Sequence, residues 1–380
     1  MQRIGTLGAI VLLVTALAAP EAHGAAESCR GAKATIVGTD KADVLEGTEK
    51  RDVIVGSGGA DVIQSVGGDD VICGGPGRDS ISSGAEGDTV YGDDGADIVA
   101  GGDGEDRLNG GRGPDRIDGG NDSDYFKAGR DRGNDTYSDS GGDGDVLDYD
   151  SRSYVGLRVD LTAGEAEGGV TGTDTLPSCT FETLIGGRGR DTLIGDGCDN
   201  EIQAIRPYSY GRSDNIIEGR GGDDVLTSAS GNDTVSGGTG NDTLEGSGGN
   251  DHLDGGPDGD TVLFVTSCFP CGVFVDLAEG VSRMRDGGFS EGQDTLDNIE
   301  NVTGFDDEWE DEHGYEPRSG DIIKGDDGPN VINARGGSDR IFGRGGNDTL
   351  NSSFGEEDYA DGGDGFDVCI SAQTTDNCEG

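Results

Sequence analysis

Residues 101–118 read Gly-Gly-Asp-Gly-Glu-Asp-Arg-Leu-Asn and then Gly-Gly-Arg-Gly-Pro-Asp-Arg-Ile-Asp. Each block of nine places Asp sixth and a large apolar residue eighth. On either side of this pair the Asp recurs without a break, ten times in all at a spacing of nine, at Asp43, Asp52, Asp61, Asp70, Asp79, Asp88, Asp97, Asp106, Asp115 and Asp124. An apolar residue follows each Asp two positions later, from Leu45 to Phe126. Self-similarity at a fixed period indicates a solenoid of stacked units.

The same register returns twice, so the chain carries three runs of repeats, here called ladders. The second ladder is interrupted by extra residues around Pro207 and comprises Asp191, Asn200, Asn215, Asp224, Asp233, Asp242, Asp251 and Asp260. The third has one extra residue before Asp358 and comprises Asp321, Asn330, Asp339, Asp348, Asp358 and Asp367.

The composition says what a fold of these repeats would need. The 380 residues include 75 Gly and 77 Asp plus Glu, against 27 Lys plus Arg, and the formal net charge is -50. Only 31% of the residues are hydrophobic, so a thick core is not expected and acidic, Gly-rich disorder is the alternative. Bound cations would offset the charge. Nucleic acid and anionic lipid would be repelled.

The repeat supplies oxygen ligands for a hard cation. Glycine accepts positive φ, so six residues can form a tight turn that exposes carbonyl oxygens. The Asp adds a carboxylate that balances charge. The strand period of two then directs the apolar residue two positions later inward, on the same face as the Asp.

These blocks match the pattern G-G-x-G-x-D-x-U-x, where U is a large apolar residue. A clean copy is Gly237-Gly238-Thr239-Gly240-Asn241-Asp242-Thr243-Leu244-Glu245. Over most of 38–142, 186–263 and 320–370, the chain closely resembles the bacterial RTX, or haemolysin-type, calcium-binding repeat family.

The resemblance implies an elongated all-β fold, a right-handed parallel β-roll (a β-solenoid) with two nonapeptides per coil and calcium between successive turns. Residues eighteen apart would then stack, so Asp43 would lie in one column with Asp61 and Asp52 in the other with Asp70. On the order of eighteen ions are expected, each with several oxygen ligands. The expected metal ligands are Asp43, Asp52, Asp61, Asp70, Asp79, Asp88, Asp97, Asp106, Asp115, Asp124, Asp191, Asp224, Asp233, Asp242, Asp251, Asp260, Asp321, Asp339, Asp348 and Asp367.

Calcium is expected to be a condition for folding. Without it the Asp columns repel, and a thin core cannot offset the entropy of the chain. A flexible Gly/Asp-rich linker is the competing interpretation, and the registered Asp and apolar positions argue against it.

The ladders divide the chain into six segments. We expect a signal peptide over 1–26, whose apolar stretch runs from Ile4 to Ala19, and therefore a secreted, extracellular protein. The other segments are a first ladder (27–142), a strand-rich insert (143–185), a second ladder (186–260), a second insert with an acidic loop around Trp309 (261–319), and a third ladder with a disulfide-stapled cap (320–380). The inserts resemble each other, as Val159-Asp160-Leu161 and Val275-Asp276-Leu277 show, and are interpreted as spacers within one array.

Eight cysteines in an exported chain favour disulfides. Cys369 with Cys378 would staple the C-terminal end, and Cys268 with Cys271 would close a tight strand connection rather than form a redox pair or a zinc site. Cys179 with Cys198 and Cys29 with Cys73 remain by elimination, although eight cysteines allow 105 pairings.

No catalytic signature is present. After signal cleavage only His252 and His313 remain, and the sequence has neither an H-E-x-x-H nor a G-x-S-x-G motif. The leading hypothesis is a calcium-binding protein, not an enzyme, with a structural, adhesive or protein-interaction role and an extracellular protein or cell surface as partner. The alternatives are the scaffold of a secreted enzyme (a hydrolase, protease or epimerase) with its site in the inserts, and a membrane-active toxin. No membrane insertion is expected, because no apolar segment would survive signal cleavage.

Overall fold

The fold is known from a computed structural model that describes residues 28–128, 133–149, 156–168, 172–204, 213–264, 272–284, 292–305, 320–353 and 357–379. The described residues form an elongated, all-β parallel solenoid of about 16 turns without a helix, as the repeats predict. The signal peptide, the Cys268–Cys271 link, the acidic loop with Trp309 and the interruption at Pro207 lie outside the described residues.

The strands are short because glycine-rich turns end them after a few residues. The first ladder and its end contain β1 (Ser28–Cys29), β2 (Ala32–Lys33), β3 (Ile36–Val37), β4 (Val44–Glu46), β5 (Val53–Val55), β6 (Val62–Gln64), β7 (Val71–Gly77), β8 (Ser80–Ala85), β9 (Thr89–Gly95), β10 (Ile98–Asp103), β11 (Arg107–Asn109), β12 (Arg116–Asn121), β13 (Tyr125–Lys127), β14 (Thr136–Ser138) and β15 (Val146–Asp148).

The rest of the first insert, which begins at β15, the second ladder and the first strand of the second insert continue this pattern. They contain β16 (Leu157–Asp160), β17 (Glu165–Gly168), β18 (Thr173–Thr175), β19 (Thr183–Ile185), β20 (Thr192–Ile194), β21 (Glu201–Gln203), β22 (Ile216–Gly221), β23 (Val225–Thr227), β24 (Thr234–Thr239), β25 (Thr243–Glu245), β26 (His252–Asp254) and β27 (Thr261–Leu263). The second insert and third ladder contain β28 (Val273–Asp276), β29 (Val281–Met284), β30 (Gln293–Asp297), β31 (Asn301–Thr303), β32 (Ile322–Lys324), β33 (Val331–Asn333), β34 (Arg340–Phe342), β35 (Thr349–Asn351), β36 (Tyr359–Asp361), β37 (Val368–Ile370) and β38 (Thr374–Asp376).

Two long sheets face each other, and the chain alternates between them. Sheet 1 runs from β3 through β5 and β7 to β37, and all of its 16 strands are parallel. Sheet 2 begins with β4, β6 and β8. Within a ladder the pairing joins residues one coil apart, such as Leu45 with Ile63 and Ile54 with Ile72, so the predicted coil of eighteen residues is confirmed.

The core is a thin layer between the sheets, built from the apolar residue that follows each Asp two positions later. Ile54, Ile63 and Ile72 are fully buried, whereas Val62, one position before Ile63, is 41% exposed. This alternation follows the strand period of two and confirms that the eighth residue of each repeat points inward.

The two inserts have the same strand order, and both extend sheet 2. In the first, β18 lies beside β14, and β17 and β16 follow as antiparallel neighbours before β20. In the second, β30, β29 and β28 stand in the same way between β26 and β32. Sheet 1 passes both places in parallel, directly from β15 to β19 and from β27 to β31. The inserts therefore continue the solenoid.

Aromatic rings fill the core where the first ladder meets the first insert. The ring of Phe126 contacts that of Phe181 edge-on, with centroids 5.3 Å apart, and that of Tyr137 at 6.1 Å. Such edge-to-face contacts add to the burial of apolar area. At the second insert, Phe264 and Phe305 lie 6.3 Å apart.

Three of the expected disulfides are confirmed: Cys29–Cys73, Cys179–Cys198 and Cys369–Cys378, with Cα–Cα distances of 5.7, 5.7 and 5.8 Å. The first holds the hairpin of β1 and β2 against Val53 and Val55, on the outer face of sheet 1. No helix long and apolar enough to cross a membrane occurs in the described part of the chain.

Stacked turns leave no room for side chains at certain glycines. Gly113 has a φ of +115°, and a Cβ added to it would overlap the carbonyl oxygen of Gly95 in the preceding coil. Gly197 is exposed, and an added Cβ there meets no atom within 4 Å.

We expect Gly113→Ala to destabilise the calcium-loaded fold by about 1–3 kcal/mol, because positive φ and a backbone overlap act together. Gly197→Ala is the matched control and should change stability by less than about 0.5 kcal/mol. Thermal unfolding followed by circular dichroism measures both. Equal melting temperatures for the two variants would contradict the stacked-turn geometry.

Candidate metal centres

The Asp residues of the ladders form the two predicted columns, in which each carboxylate reaches back by one coil. Asp61 Oδ1 accepts a hydrogen bond from the backbone N–H of Asp43 at 2.8 Å, and Asp106 Oδ1 accepts one from the backbone N–H of Asp88 at 2.7 Å. The bonds that repeat this pattern end on Asp70, Asp79, Asp88, Asp97, Asp115, Asp124, Asp224, Asp233, Asp242, Asp251, Asp260, Asp339, Asp348 and Asp367. The strand pairing and the carboxylates therefore specify the same register.

The second carboxylate oxygen is buried and unpaired in most of these residues. Oδ2 is buried and accepts no hydrogen bond among the described residues in Asp61, Asp70, Asp79, Asp88, Asp97, Asp106, Asp124, Asp224, Asp233, Asp242, Asp251, Asp260, Asp348, Asp358 and Asp367. An unpaired buried carboxylate oxygen is costly, and buried charges in proteins are normally paired or bind a metal. The columns are therefore suited to bind cations.

Carbonyl oxygens of the next coil lie beside these carboxylates. A Cβ added to Gly74 would lie 2.7 Å from Asp79 Oδ2 and 2.8 Å from the carbonyl oxygen of Gly92. Oxygens from two coils therefore converge beside each such glycine, and glycine leaves the space open. A set made only of carboxylate and carbonyl oxygens suits calcium and lacks the His and Cys ligands that zinc prefers.

Serine replaces this glycine beside Asp70, Asp88 and Asp233, and its hydroxyl bonds to the next coil. Ser83 Oγ donates to the carbonyl oxygen of Gly101 at 2.9 Å, and Ser228 Oγ donates to that of Gly246 at 2.7 Å. Ser65 donates in the same way to Ser83.

Burial raises the pKa of the column carboxyls. It raises the pKa of Asp88, Asp97 and Asp106 to about 7. Burial, with the neighbouring carboxylates adding to it, raises the pKa of Asp124 and Asp251 to about 8. Without a cation these groups therefore hold protons near neutral pH.

The residues that begin the columns differ, because local donors satisfy their second oxygen. Asp43 Oδ2 accepts from the backbone N–H and the hydroxyl of Thr39 at 2.6 and 2.8 Å, and Asp52 Oδ2 accepts from those of Thr48 at 2.9 and 2.8 Å. Although burial raises it, hydrogen bonds from Thr48 and Thr35 leave the pKa of Asp52 below its usual value.

The first Asp of each later ladder is held in a similar way. Asp191 Oδ2 accepts from the N–H of Gly187 at 2.8 Å, and Asp321 Oδ2 accepts from that of Phe305 at 3.0 Å. All twenty expected ligands thus lie in the columns, but these two and the first two of the chain already have donors.

Sequence reasoning missed the continuation of the columns into the inserts. Asp135 and Asp174 extend one column, and Asp145 and Glu182 extend the other, through hydrogen bonds of 2.7–3.0 Å. Asp294 and Glu300 do the same in the second insert. The signal was present in the matching segments Phe181-Glu182-Thr183-Leu184 and Ile299-Glu300-Asn301-Val302, but the spacing of nine is lost there.

A cluster of Cys179, Asp196 and Cys198 has metal-like spacing but binds no metal through sulfur, because the two cysteines form a disulfide. His252 lies on the outer face of β26, as its position in the repeat predicts, and contacts Thr295 at 2.9 Å.

The family model described as the RTX calcium-binding nonapeptide repeat (4 copies) matches residues 37–72, 74–108, 100–137, 181–204, 211–235, 227–262 and 319–350. Together these ranges cover more than half of the chain. No curated protein sequence matches the chain significantly. With the glycine turns, the stacked Asp columns and the parallel solenoid all in the register of this repeat, the chain belongs to the RTX calcium-binding repeat family.

Proposed function

We propose that this protein is secreted, folds when it binds several calcium ions, and serves outside the cell as a structural or adhesive element that presents its surface to another protein or a cell surface. It is not an enzyme in this proposal, because the many neighbouring carboxylates belong to columns that repeat along the whole solenoid. On the order of eighteen ions remain the expected load, because each ion would bridge turns two repeats apart.

The observation that carries the proposal is the line of buried Oδ2 atoms without a donor. Like charges repeat in each column one coil apart, and no Lys or Arg of the described residues pairs with these atoms. The core between the sheets receives about one apolar side chain from each repeat, which leaves little apolar burial to offset the repulsion. Bound calcium would supply the missing attraction between coils, so binding and folding would be coupled.

Two features support an extracellular location. Three disulfides lie in the described residues, and disulfides persist mainly in oxidising compartments. A fold that depends on many calcium ions also suits the extracellular space, where calcium modules work with dissociation constants of about 0.1–1 mM. The presentation role rests on the elongated shape and on the outward side chains of each sheet, such as Val62 and Gln64 on either side of the buried Ile63.

We expect the disulfide-intact protein to lose most of its β signal in calcium-free buffer with a chelator, and to regain it cooperatively as calcium is added. The reason is that coil stacking requires the carboxylate repulsion to be cancelled. Circular dichroism during the titration measures this. Magnesium at the same concentrations is the control, because it demands a stricter octahedral geometry and should restore much less signal. A full β signal in chelator would contradict the proposal.

We expect Asp106→Asn to raise the calcium concentration at the folding midpoint several-fold and to lower the number of bound ions by one or two, because it removes one buried negative charge. Asparagine can keep the backbone hydrogen bond, as Asn215 does with the N–H of Asp191 at 2.9 Å. The matched control is Glu105→Gln, which removes the same charge from an exposed neighbour. Equilibrium dialysis with radioactive calcium counts the ions. Equal effects of the two variants would point to net charge rather than to the column.

We expect acid to favour the calcium-free fold and to oppose calcium binding. The folded pKa values of about 7 for Asp88 and about 8 for Asp124 exceed those of the unfolded chain, which are near 4. Their contribution to stability without calcium is therefore complete below about pH 4 and lost as the pH rises through 7–8. Calcium must displace the protons on these carboxyls. For each such proton, the apparent calcium affinity falls about tenfold for every pH unit below the folded pKa.

Two titrations check the pH dependence. Without calcium, the β signal of the monomer should be larger at pH 5.5 than at pH 8, with size-exclusion chromatography used to exclude aggregates. With calcium, isothermal titration calorimetry in buffers of different ionisation enthalpy should report proton release near pH 7. A calcium affinity that is independent of pH between 6 and 8 would show that these carboxyls are not protonated in the calcium-free state.

A further inference from the structure

We propose that Asp124, Asp139 and Asp145 form a calcium site of their own at the end of the first ladder, and that this site binds calcium more tightly than the sites of the regular repeats. It is here called the three-carboxylate site. The inference rests on the proposed calcium-dependent fold and adds a ranking of its sites. Asp139 lies outside the repeat pattern, at the junction with the first insert.

The three side chains converge. One carboxylate oxygen from each lies within 4.8 Å of the others. Asp124 is 1% exposed, and its Oδ2 accepts no hydrogen bond among the described residues. A Cβ added to Gly119 would touch both this Oδ2 and Asp139 Oδ1, so the two oxygens face the same small space.

A rung is here one Asp of a column together with the glycine five residues before it. The three-carboxylate site differs from the regular rungs in one ligand oxygen. At Gly101, one rung earlier in the same column, an added Cβ would touch Asp106 Oδ2 and the carbonyl oxygen of Gly119. At Gly119 the place of that carbonyl oxygen is taken by the carboxylate of Asp139. A neutral ligand is thus replaced by a charged one, and calcium affinity rises with the number of charged ligands.

Backbone donors hold Asp139 in this position. Its Oδ1 accepts from the N–H of Gly120 at 3.0 Å and its Oδ2 from the N–H of Gly141 at 2.9 Å. Strand β14 ends at the preceding residue, so the side chain starts from a fixed point in sheet 2. These contacts leave lone pairs on both oxygens, since a carboxylate can accept about four hydrogen bonds.

Asp145 is held just as firmly. Its Oδ1 accepts from the N–H of Asp124 at 2.7 Å, and its own N–H donates to Glu182 Oε2 at 2.8 Å. It is 1% exposed. Prearranged ligands bind more tightly because less ordering is required on binding.

No cationic side chain of the described residues neutralises the cluster. None of the three carboxylates forms an ion pair with Lys, Arg or His within the described ranges. The fully buried ring of Phe126 closes the inner side, where its Cζ would lie 2.7 Å from a Cβ on Gly119. An apolar wall excludes water and strengthens the attraction between carboxylates and cation. Calcium here would also tie the turn after β14 to the turn before β13.

The test measures calcium binding to the full, disulfide-intact chain by competition with a chelating dye. The wild-type protein should show one tight site ahead of the remaining, weaker class. Asp139→Asn should weaken that tight site at least tenfold and leave the weaker class and the β signal at saturating calcium unchanged. Asp139→Gly should do the same, because it restores the residue type of a regular rung.

The matched control is Asp143→Asn, which removes the same charge from an exposed residue two positions before Asp145. It should leave the tight site unchanged. Binding curves of Asp139→Asn that overlay those of the wild type, or an equal loss in Asp143→Asn, would overturn the three-carboxylate site while leaving the repeat sites intact. Absence of calcium binding in the wild type would instead overturn the proposed function and this inference with it.

Discussion

The structure depends on Asp carboxylates in which one oxygen accepts a hydrogen bond and the other accepts none. In each rung one Asp oxygen accepts the backbone N–H of the coil before it, as Asp106 does from Asp88, and this bond sets the register of the coil. In most of these residues, Asp106 among them, the other oxygen is buried beside carbonyl oxygens and accepts no hydrogen bond among the described residues. The same Asp therefore fixes the register of the stacked coils and, through its unpaired carboxylate oxygen, destabilises their stacking. A bound cation resolves this conflict, and protons resolve it in part, as the raised pKa values of Asp97 and Asp251 indicate.

The rest of the architecture follows from that conflict. A stack held by ions between turns needs only a thin core, and one apolar side chain per repeat supplies it. Each coil contacts mainly the coils before and after it, so stability is distributed along the axis in nearest-neighbour steps. Glycines such as Gly113 are required because neighbouring turns approach too closely for a Cβ. The low hydrophobic content and the charge of -50 are therefore properties of the fold and not signs of disorder.

The period of nine predicts those features that repeat, since pairing eighteen residues apart is its direct consequence. The columns from Asp43 to Asp115 and from Asp52 to Asp124 could be read from spacing alone. The inserts could not, because the separation of stacked carboxylates changes to 20 at Asp135, 21 at Asp145 and 39 at Asp174. No periodic pattern encodes a chain that returns antiparallel, as β17 does between β16 and β18. The role of Asp139 could not be predicted from the period either. In the regular repeats a backbone carbonyl oxygen occupies the position that the Asp139 carboxylate occupies here.

Protein groups supply the missing hydrogen-bond partners at the ends of the columns. At the start, Thr39 and Thr48 donate to Asp43 and Asp52. At the end, longer side chains accept the last backbone N–H groups: Glu182 and Glu300 at the junctions, and Gln373 and Glu379 at the C-terminal end. Glu182 and Glu300 keep the register of the Asp residues, since Leu184 pairs with Leu147 and Val302 pairs with Val262. The last backbone N–H groups are thus satisfied by protein groups alone. The last Asp residues of the ladders, Asp124, Asp260 and Asp367, still have a buried Oδ2 without a hydrogen bond among the described residues, so cations are needed up to the ladder ends. At the first of these ends a third carboxylate, that of Asp139, is added, and the three-carboxylate site combines both features.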